Sequence, residues 1–236
     1  MTRISAGGII AAGEGSRLRE AGIAKPLVPV AGEPLIAHVL ENFAATGVRS
    51  VSVIFNGEEE DCAAFVRERY RDLAPKVLVQ TTASSLESFQ RILAISPEGR
   101  LLVSTVDAFC PREDFVAFVQ AAQETPPETT VLAVTPFVAD EKPLWVRRDS
   151  NGLVSHIGGT SGDAVTAGIY VVAQNVRNLQ PPSELGRLRE FLSWLCTEGH
   201  PLRALSIPRV VDVDRPEDVR LAEEMARDEA ELRARA

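Results

Sequence analysis

Residues 7–30 read GGIIAAGEGSRLREAGIAKPLVPV, and this stretch decides the reading of the chain. Its apolar run, Ile9 to Ala12, predicts a buried strand. The run breaks into Gly13-Glu14-Gly15-Ser16, a loop with little side-chain bulk. Glycines let backbone N–H groups come close to an anion, and successive N–H groups form a concave nest for one. Arg17 follows directly and Lys25 lies eight residues on. Arg17 offers a planar fork for phosphate oxygens, Lys25 a compact point charge. A strand, a glycine loop and two cations in a short span suit a triphosphate. At this level a plain glycine turn flanked by surface cations fits equally well.

The common phosphate motifs do not fit. A Walker loop needs Gly-Lys followed by Ser or Thr, and no Lys-Ser or Lys-Thr pair occurs in the chain. The dinucleotide fingerprint needs a third glycine where Leu18 stands. It also needs an acid after the second strand, but Val51–Phe55 runs into Asn56.

Working outward, short apolar runs alternate with helical patterns. Residues 4–11, 51–55, 76–80, 101–105 and 130–135 read as buried strands. Residues 34–46, 58–72, 84–94 and 112–124 read as the helices between them. Such alternation predicts an α/β fold with a mixed, mainly parallel central sheet and helices on both faces. Ligands of such sheets sit beyond the carboxyl ends of the strands, where the Gly13 loop and Asp107 both fall. After Pro136 the pattern changes. Residues 144–148 and 152–157 flank Asn151-Gly152, a hairpin signal. A strand over 164–172, a helix from Pro181 to about Glu198, short strands over 202–207 and 210–213, and a last helix from about Pro216 complete the expectation.

Composition bounds the function. With 236 residues and 45% apolar content, the chain suits one globular domain. No apolar run reaches the roughly 18 residues of a membrane span, so no membrane partner is expected. The start, Met1-Thr2-Arg3-Ile4-Ser5, runs straight toward the first strand, and no leader is expected. Three scattered cysteines, Cys62, Cys110 and Cys196, suit reduced thiols and a cytoplasmic location. A net charge of −8 argues against a nucleic-acid surface. It leaves room for a nucleotide neutralised locally by cations or a metal.

Other residues carry paired readings. Asp107 ends an apolar strand and could hold Mg²⁺ or cap a turn. Ser84 and Ser85 open a helix, where an N-cap role can coexist with a nucleotide contact. Lys142 could reach a phosphate or belong to a solvated cluster with Asp140 and Glu141. Gly168 reads as a bulge glycine within its strand. His38, His156 and His200 have no zinc-ligand spacing. Asp214, with Glu217 three positions on and Pro216 in the first turn, reads as the cap of the last helix.

The longer string resembles the nucleotidyltransferase family of sugar-1-phosphate pyrophosphorylases. Ala11-Ala12-Gly13-Glu14-Gly15-Ser16-Arg17-Leu18 looks like its signature loop, and Lys25 to Ile36 looks like the segment that follows. Weaker similarity reaches Asp107 and Asp212-Val213-Asp214-Arg215-Pro216-Glu217-Asp218. Molybdenum cofactor guanylyltransferases, and cytidylyltransferases acting on phosphocholine or polyol phosphates, are similar too. The resemblance implies a Rossmann-like, GT-A-like fold in a single domain. Residues 1–135 would bind nucleotide, 136–210 the acceptor, and 211–236 would bring a metal-ligand strand end. It implies Mg²⁺ or Mn²⁺ held by Asp107 and Asp212, and Arg17 and Lys25 as catalytic cations. Nucleotide contacts would come from residues 11–17, Lys25, Thr81, Thr82, Ser84 and Ser85, and acceptor contacts from Lys142 and Gly168. The partners would be a nucleoside triphosphate and a small phosphorylated acceptor, most simply a sugar 1-phosphate, with the protein a monomer or homodimer. Gln80-Thr81-Thr82-Ala83-Ser84-Ser85 replaces a Gly-Thr pair that many relatives carry near the base, and leaves the base open. A nucleotide-binding regulatory module without catalysis is the reading from another class, and the presence of both cations and both acids weighs against it.

Overall fold

The computed structural model describes residues 3–13, 23–136 and 142–235. In the first half the strands are β1 (Ala6–Ala11), β2 (Pro29–Val30), β3 (Glu33–Pro34), β4 (Ser50–Phe55), β5 (Lys76–Val79), β6 (Leu101–Thr105), β7 (Ala108–Phe109) and β8 (Thr130–Thr135). The helices among them are α1 (Leu35–Ala45), α2 (Glu60–Arg69), α3 (Ser85–Ile95) and α4 (Arg112–Gln123). The second half holds β9 (Trp145–Arg148), β10 (Val154–Ile157), β11 (Ala164–Val172), α5 (Gln174–Arg177), α6 (Leu188–Thr197), β12 (Leu202–Ser206), β13 (Val211–Asp212) and α7 (Pro216–Arg235).

Nine strands form the main sheet, in the order β10-β9-β11-β6-β1-β4-β5, with β8 beside β11 and β12 beside β8. The run β6-β1-β4-β5 is parallel. The long strand β11 then turns the sheet antiparallel, against β6, β8 and β9. This is the mixed α/β sheet that the alternating pattern predicts. Because β4 lies on one side of β1 and β6 on the other, the connections out of the sheet diverge between β1 and β6. That divergence opens a crevice at the carboxyl ends of those two strands.

Helices cover both faces. One core cluster joins α1, α2 and α4 to the sheet through Leu40, Phe43, Val66, Phe115 and Phe118. The other joins α3 and α6 through Phe89, Ile92, Phe191 and Leu195. Two glycines of β1 make the approach possible. A Cβ at Gly7 would collide with the Phe43 ring, and one at Gly8 with the Ile92 side chain. A third, smaller cluster (Val28, Val30, Leu35, Phe109, Val211, Val213 and Ala222) sits at the crevice end.

The structure differs from the expectation at several points. The region 58–72 is α2 followed by a separate 3-10 turn over Arg71–Leu73, ended by Ala74 in the left-handed region at φ 42°. The helix expected from Pro181 starts instead at Leu188, because the Glu190 carboxylate accepts the N–H groups of Gly186 and Arg187 and fixes the start there. The Asn-Gly hairpin is present: Gly152 has φ +79°, and the Asp149 carboxylate accepts the N–H groups of Asn151 and Leu153. The ribbon β2-β3 and the strand β7 have no counterpart in the expectation, whereas β13 falls within the strand expected over 210–213, and both ribbons prove to hold the site.

Candidate active site

The crevice is built from the last residues of β1 and β6. Gly13 follows β1, and a Cβ there would meet no atom of the described residues within 4 Å. Asn56 Nδ2 donates to the Ala12 carbonyl at 3.5 Å and ties the ends of β4 and β1 together. After β6 the chain turns through Asp107 into β7, which pairs antiparallel with β13, Asp212 opposite Ala108. The Val213 N–H donates to the Asp107 carbonyl at 3.0 Å. Asp107, Asp212 and Asp214 are thereby brought together from positions more than a hundred residues apart. Each can place one carboxylate oxygen within 4.8 Å of the others'.

Lys25 arrives from the other side. It opens a single 3-10 turn (Lys25–Leu27) that leads into β2, and β2 turns into β3 through Ala31 and Gly32, both at positive φ. Val28 and Val30 pack on Phe109, Val211 and Val213, so the apolar neighbours of the charged residues hold the three segments in place. The His38 ring adds a hydrogen-bonding contact of 2.9 Å to the Val30 carbonyl and an edge contact with Phe109. Lys25 is buried. Its Nζ donates to Asp107 Oδ2 at 2.6 Å and also to Asp214 Oδ1. Burial alone would drive the Lys25 pKa down, but the two carboxylates outweigh it and raise it above the usual lysine range. Burial likewise pushes Asp107 up, and the Lys25 ammonium outweighs that and holds it below the usual carboxylate range. A cation among the carboxylates thus favours their ionised form. Three hard oxygen donors around one point also suit a divalent ion such as Mg²⁺.

Asp214 corrects the sequence reading. It does not cap α7 through its side chain. The Asp218 carboxylate does that, accepting the N–H groups of Asp214 and Arg215 at 3.1 and 2.8 Å. The Asp214 carboxylate points to Lys25 instead.

Two cavities meet here. The larger, of about 580 Å³, is lined by Ala11, Ala12, Gly13, Lys25, Thr82, Ser84 and Ser85, and reaches Asp107 and Asp214. Thr81 stays outside it, exposed, with its hydroxyl 3.4 Å from Asn56 Oδ1. Thr82 pairs with Ser88 through their hydroxyls at 2.7 Å. Ser84 caps α3, accepting the Glu87 N–H at 3.1 Å, while Glu87 accepts from Ala83. Glu14, Gly15, Ser16 and Arg17 lie outside the described residues.

The smaller cavity, of about 260 Å³, shares Ser85, Thr105 and Asp107 with the first, and adds Asp212, Gly168 and Tyr170. Gly168 has φ +70°, and a Cβ there would lie 2.6 Å from Thr105 Oγ1. It sits where the register of β11 shifts, so it is a bulge glycine and a cavity wall at once. Lys142 is exposed and does not line the cavity. Its carbonyl accepts from the Arg189 guanidinium at 2.9 Å. The cations that do line it are Arg187 and Arg189, which the sequence reading missed. They open α6, and nothing local shows that its start faces the ends of β6 and β11. The link that turns it there is the Leu188 N–H donating to Ser85 Oγ, 103 positions away.

Among known proteins, the family described as "MobA-like NTP transferase domain" matches residues 7–180. The bifunctional protein GlmU of Rhizobium johnstonii is 44% identical over 55 residues, 23% of this chain. A mannose-1-phosphate guanyltransferase of Gibberella zeae is 33% identical over 120 residues, 47% of this chain. These stretches span 12% and 33% of the relatives' own lengths. In fold, the chain is similar to the inositol-1-phosphate CTP transferase from T. maritima, with TM-score 0.80, 18% identity, and 95% and 96% of the two chains covered. It is also similar to a UDP-glucose pyrophosphorylase, with TM-score 0.77, 14% identity, and 95% and 99% covered.

Proposed function

The chain belongs to the MobA-like NTP transferase family, and from that premise we propose that it joins a nucleoside triphosphate to a small phosphorylated acceptor, a sugar 1-phosphate or a similar phosphate ester, releasing pyrophosphate. One observation carries the reading. Lys25 and three carboxylates stand where two cavities meet at the switch point of the sheet. A phosphate oxygen of the acceptor attacks the α-phosphorus, forming the new P–O bond. The α–β bridging bond breaks, and pyrophosphate leaves with the electron pair. Such transfer needs positioning and charge stabilisation, with no protein nucleophile.

The larger cavity takes the nucleotide, with the N–H groups beyond Ala11 and the start of α3 facing its phosphates. Arg17 belongs to this proposal as a second phosphate cation. Lys25 sits at the junction, able to turn from the carboxylates to a phosphate oxygen. Asp107 and Asp214, with Asp212 beside them, would hold Mg²⁺, which would neutralise phosphate charge there. Gly168 leaves room for the acceptor against the β11 backbone.

The test is a release assay of four nucleoside triphosphates against a panel of phosphorylated acceptors. Pyrophosphate is expected, and only with a divalent ion. Turnover in excess chelator, or orthophosphate as the product, overturns the mechanism.

A further inference from the structure

The smaller cavity is polarised. One end carries Asp107 and Asp212, the other Arg187 and Arg189 from the start of α6. Tyr170 lies between, buried, its hydroxyl pushed up to about 12 by burial, with a hydrogen bond to Thr166 opposing and Asp107 and Asp212 adding smaller upward pushes. The arginines stand against local preference. Arg187 is the N-cap residue of α6 and Arg189 the second residue of its first turn. Caps favour short oxygen-bearing side chains, and the positive end of a helix dipole disfavours cations. Two guanidinium groups placed there concentrate positive potential on one spot of a chain whose net charge is −8. The Arg189 guanidinium donates to the Lys142 carbonyl and Glu190 lies near both arginines, yet both side chains still line the cavity.

The rest of the lining narrows the ligand. Among the described residues it holds no Asn, Gln, Glu or His side chain, and its carboxylates are those of the acidic cluster. The hydroxyl-bearing residues Ser85, Thr105, Thr135, Thr166 and Tyr170 line it too and suit a hydroxyl on the ligand, while the two guanidinium groups call for an anion. A cationic tail would be repelled by the arginines. Guanidinium forks match carboxylates and phosphates in a bidentate way.

Resting on the nucleotidyl-transfer reading, we propose that the acceptor is a compact phosphate ester carrying a second anionic group, a carboxylate or a second phosphate, held at its far end by Arg187 and Arg189. The reacting phosphate would then lie toward the aspartates and Lys25, and the second anion would fix which way round the acceptor binds.

Matched probe pairs test this by titration calorimetry on the full chain in Mg²⁺, without nucleotide and with the triphosphate that the release assay selects. One pair is 3-phosphoglycerate against glycerol 3-phosphate, and the other glucuronate 1-phosphate against glucose 1-phosphate. The carboxylate member of at least one pair should bind about tenfold or more tightly, the size of one charge-assisted contact. Arg187→Met and Arg189→Met should each shrink that preference while leaving nucleotide affinity unchanged. Arg189→Lys should restore part of it. Thermal melts confirm that the variants fold. No preference in either pair, or a preference that survives the double Arg187→Met/Arg189→Met variant, overturns the proposal. Failure of every triphosphate to release pyrophosphate would sink the parent reading instead, and the nucleotide-free titrations still decide the second anion on their own.

Discussion

Lys25 carries the tightest energetic argument in the molecule. Its ammonium is buried and held by Asp107 and Asp214, and removing one partner of a buried pair leaves the other charge uncompensated. On the proposed reading the same point would take a divalent ion, so lysine and metal would compete for the carboxylates. Lys25→Met should therefore melt earlier in chelator, bind Mn²⁺ more tightly than the parent, and recover stability when the ion is added. Its turnover should fall about a hundredfold, roughly 2.7 kcal/mol, for the loss of a cation beside the transferring phosphoryl group. Weaker Mn²⁺ binding in this variant, read by direct titration, would show that the two cations do not share the site. Asp214 and Asp218 divide along similar lines. Asp214→Asn should keep α7 and lose metal-dependent turnover, whereas Asp218→Ala should cost about 0.5–2 kcal/mol as a lost cap and retain the activity. The reverse pattern in paired melts and assays would return Asp214 to a capping role. The sequence makes Lys25 legible as a cation close behind the glycine loop, and Asp107 as an acid that ends an apolar run. Asp214 is misread because Asp-x-x-Glu is a local signature. Its real partner is 189 positions away, beyond any local pattern.

At the scale of elements, small pieces do the positioning. The strands β1, β4, β5, β6, β8 and β11, and the helices α1, α3 and α4, are legible from periodicity to within a residue or two. Their sequences repeat often enough to declare a period. The ribbons β2-β3 and β7-β13 have two residues per strand, too few to show one, yet they bring Lys25 to the carboxylates. What holds them is the apolar cluster of Val28, Val30, Phe109, Val211 and Val213, a long-range feature read only after folding. The central strand has its own hidden requirement. Gly8 faces Ile92 of α3 with no room for a methyl group, and α3 brings Ser84 and Ser85 to the larger of the two cavities. Gly8→Ala should push α3 outward and cost about 1–3 kcal/mol as overpacking. Urea melts should show a lower midpoint at an unchanged slope. A midpoint equal to the parent's would mean that the sheet and helix yield freely at this contact.

Over the whole molecule, the sheet's switch point places two cavities side by side, with Asp107 and Thr105 in the wall between them. Alternating strands and helices make the parallel half of this arrangement readable. The other half depends on β11 crossing beside β6 and β8 at once, which no local pattern announces. Charge sets how the molecule meets a nucleotide. A chain at −8 does not draw a triphosphate in from a distance, so binding rests on the few cations at the crevice and on a divalent ion. Lys25 already fills the place among the carboxylates, so Mg²⁺ alone should raise the melting temperature little. A triphosphate alone faces those carboxylates unscreened and should do little either. Together they satisfy each other, the ion among the acids and Lys25 freed toward the phosphates. The expected shift for both then exceeds the sum of the separate shifts. At about a hundred times the dissociation constant, a ligand that binds only the folded state adds about 2.7 kcal/mol. For a chain of this size that corresponds to roughly 5–10 °C. Scanning calorimetry with ion, nucleotide, both and chelator decides it. Full stabilisation by nucleotide in chelator would mean that the protein's own cations suffice and that the carboxylates serve only to hold Lys25.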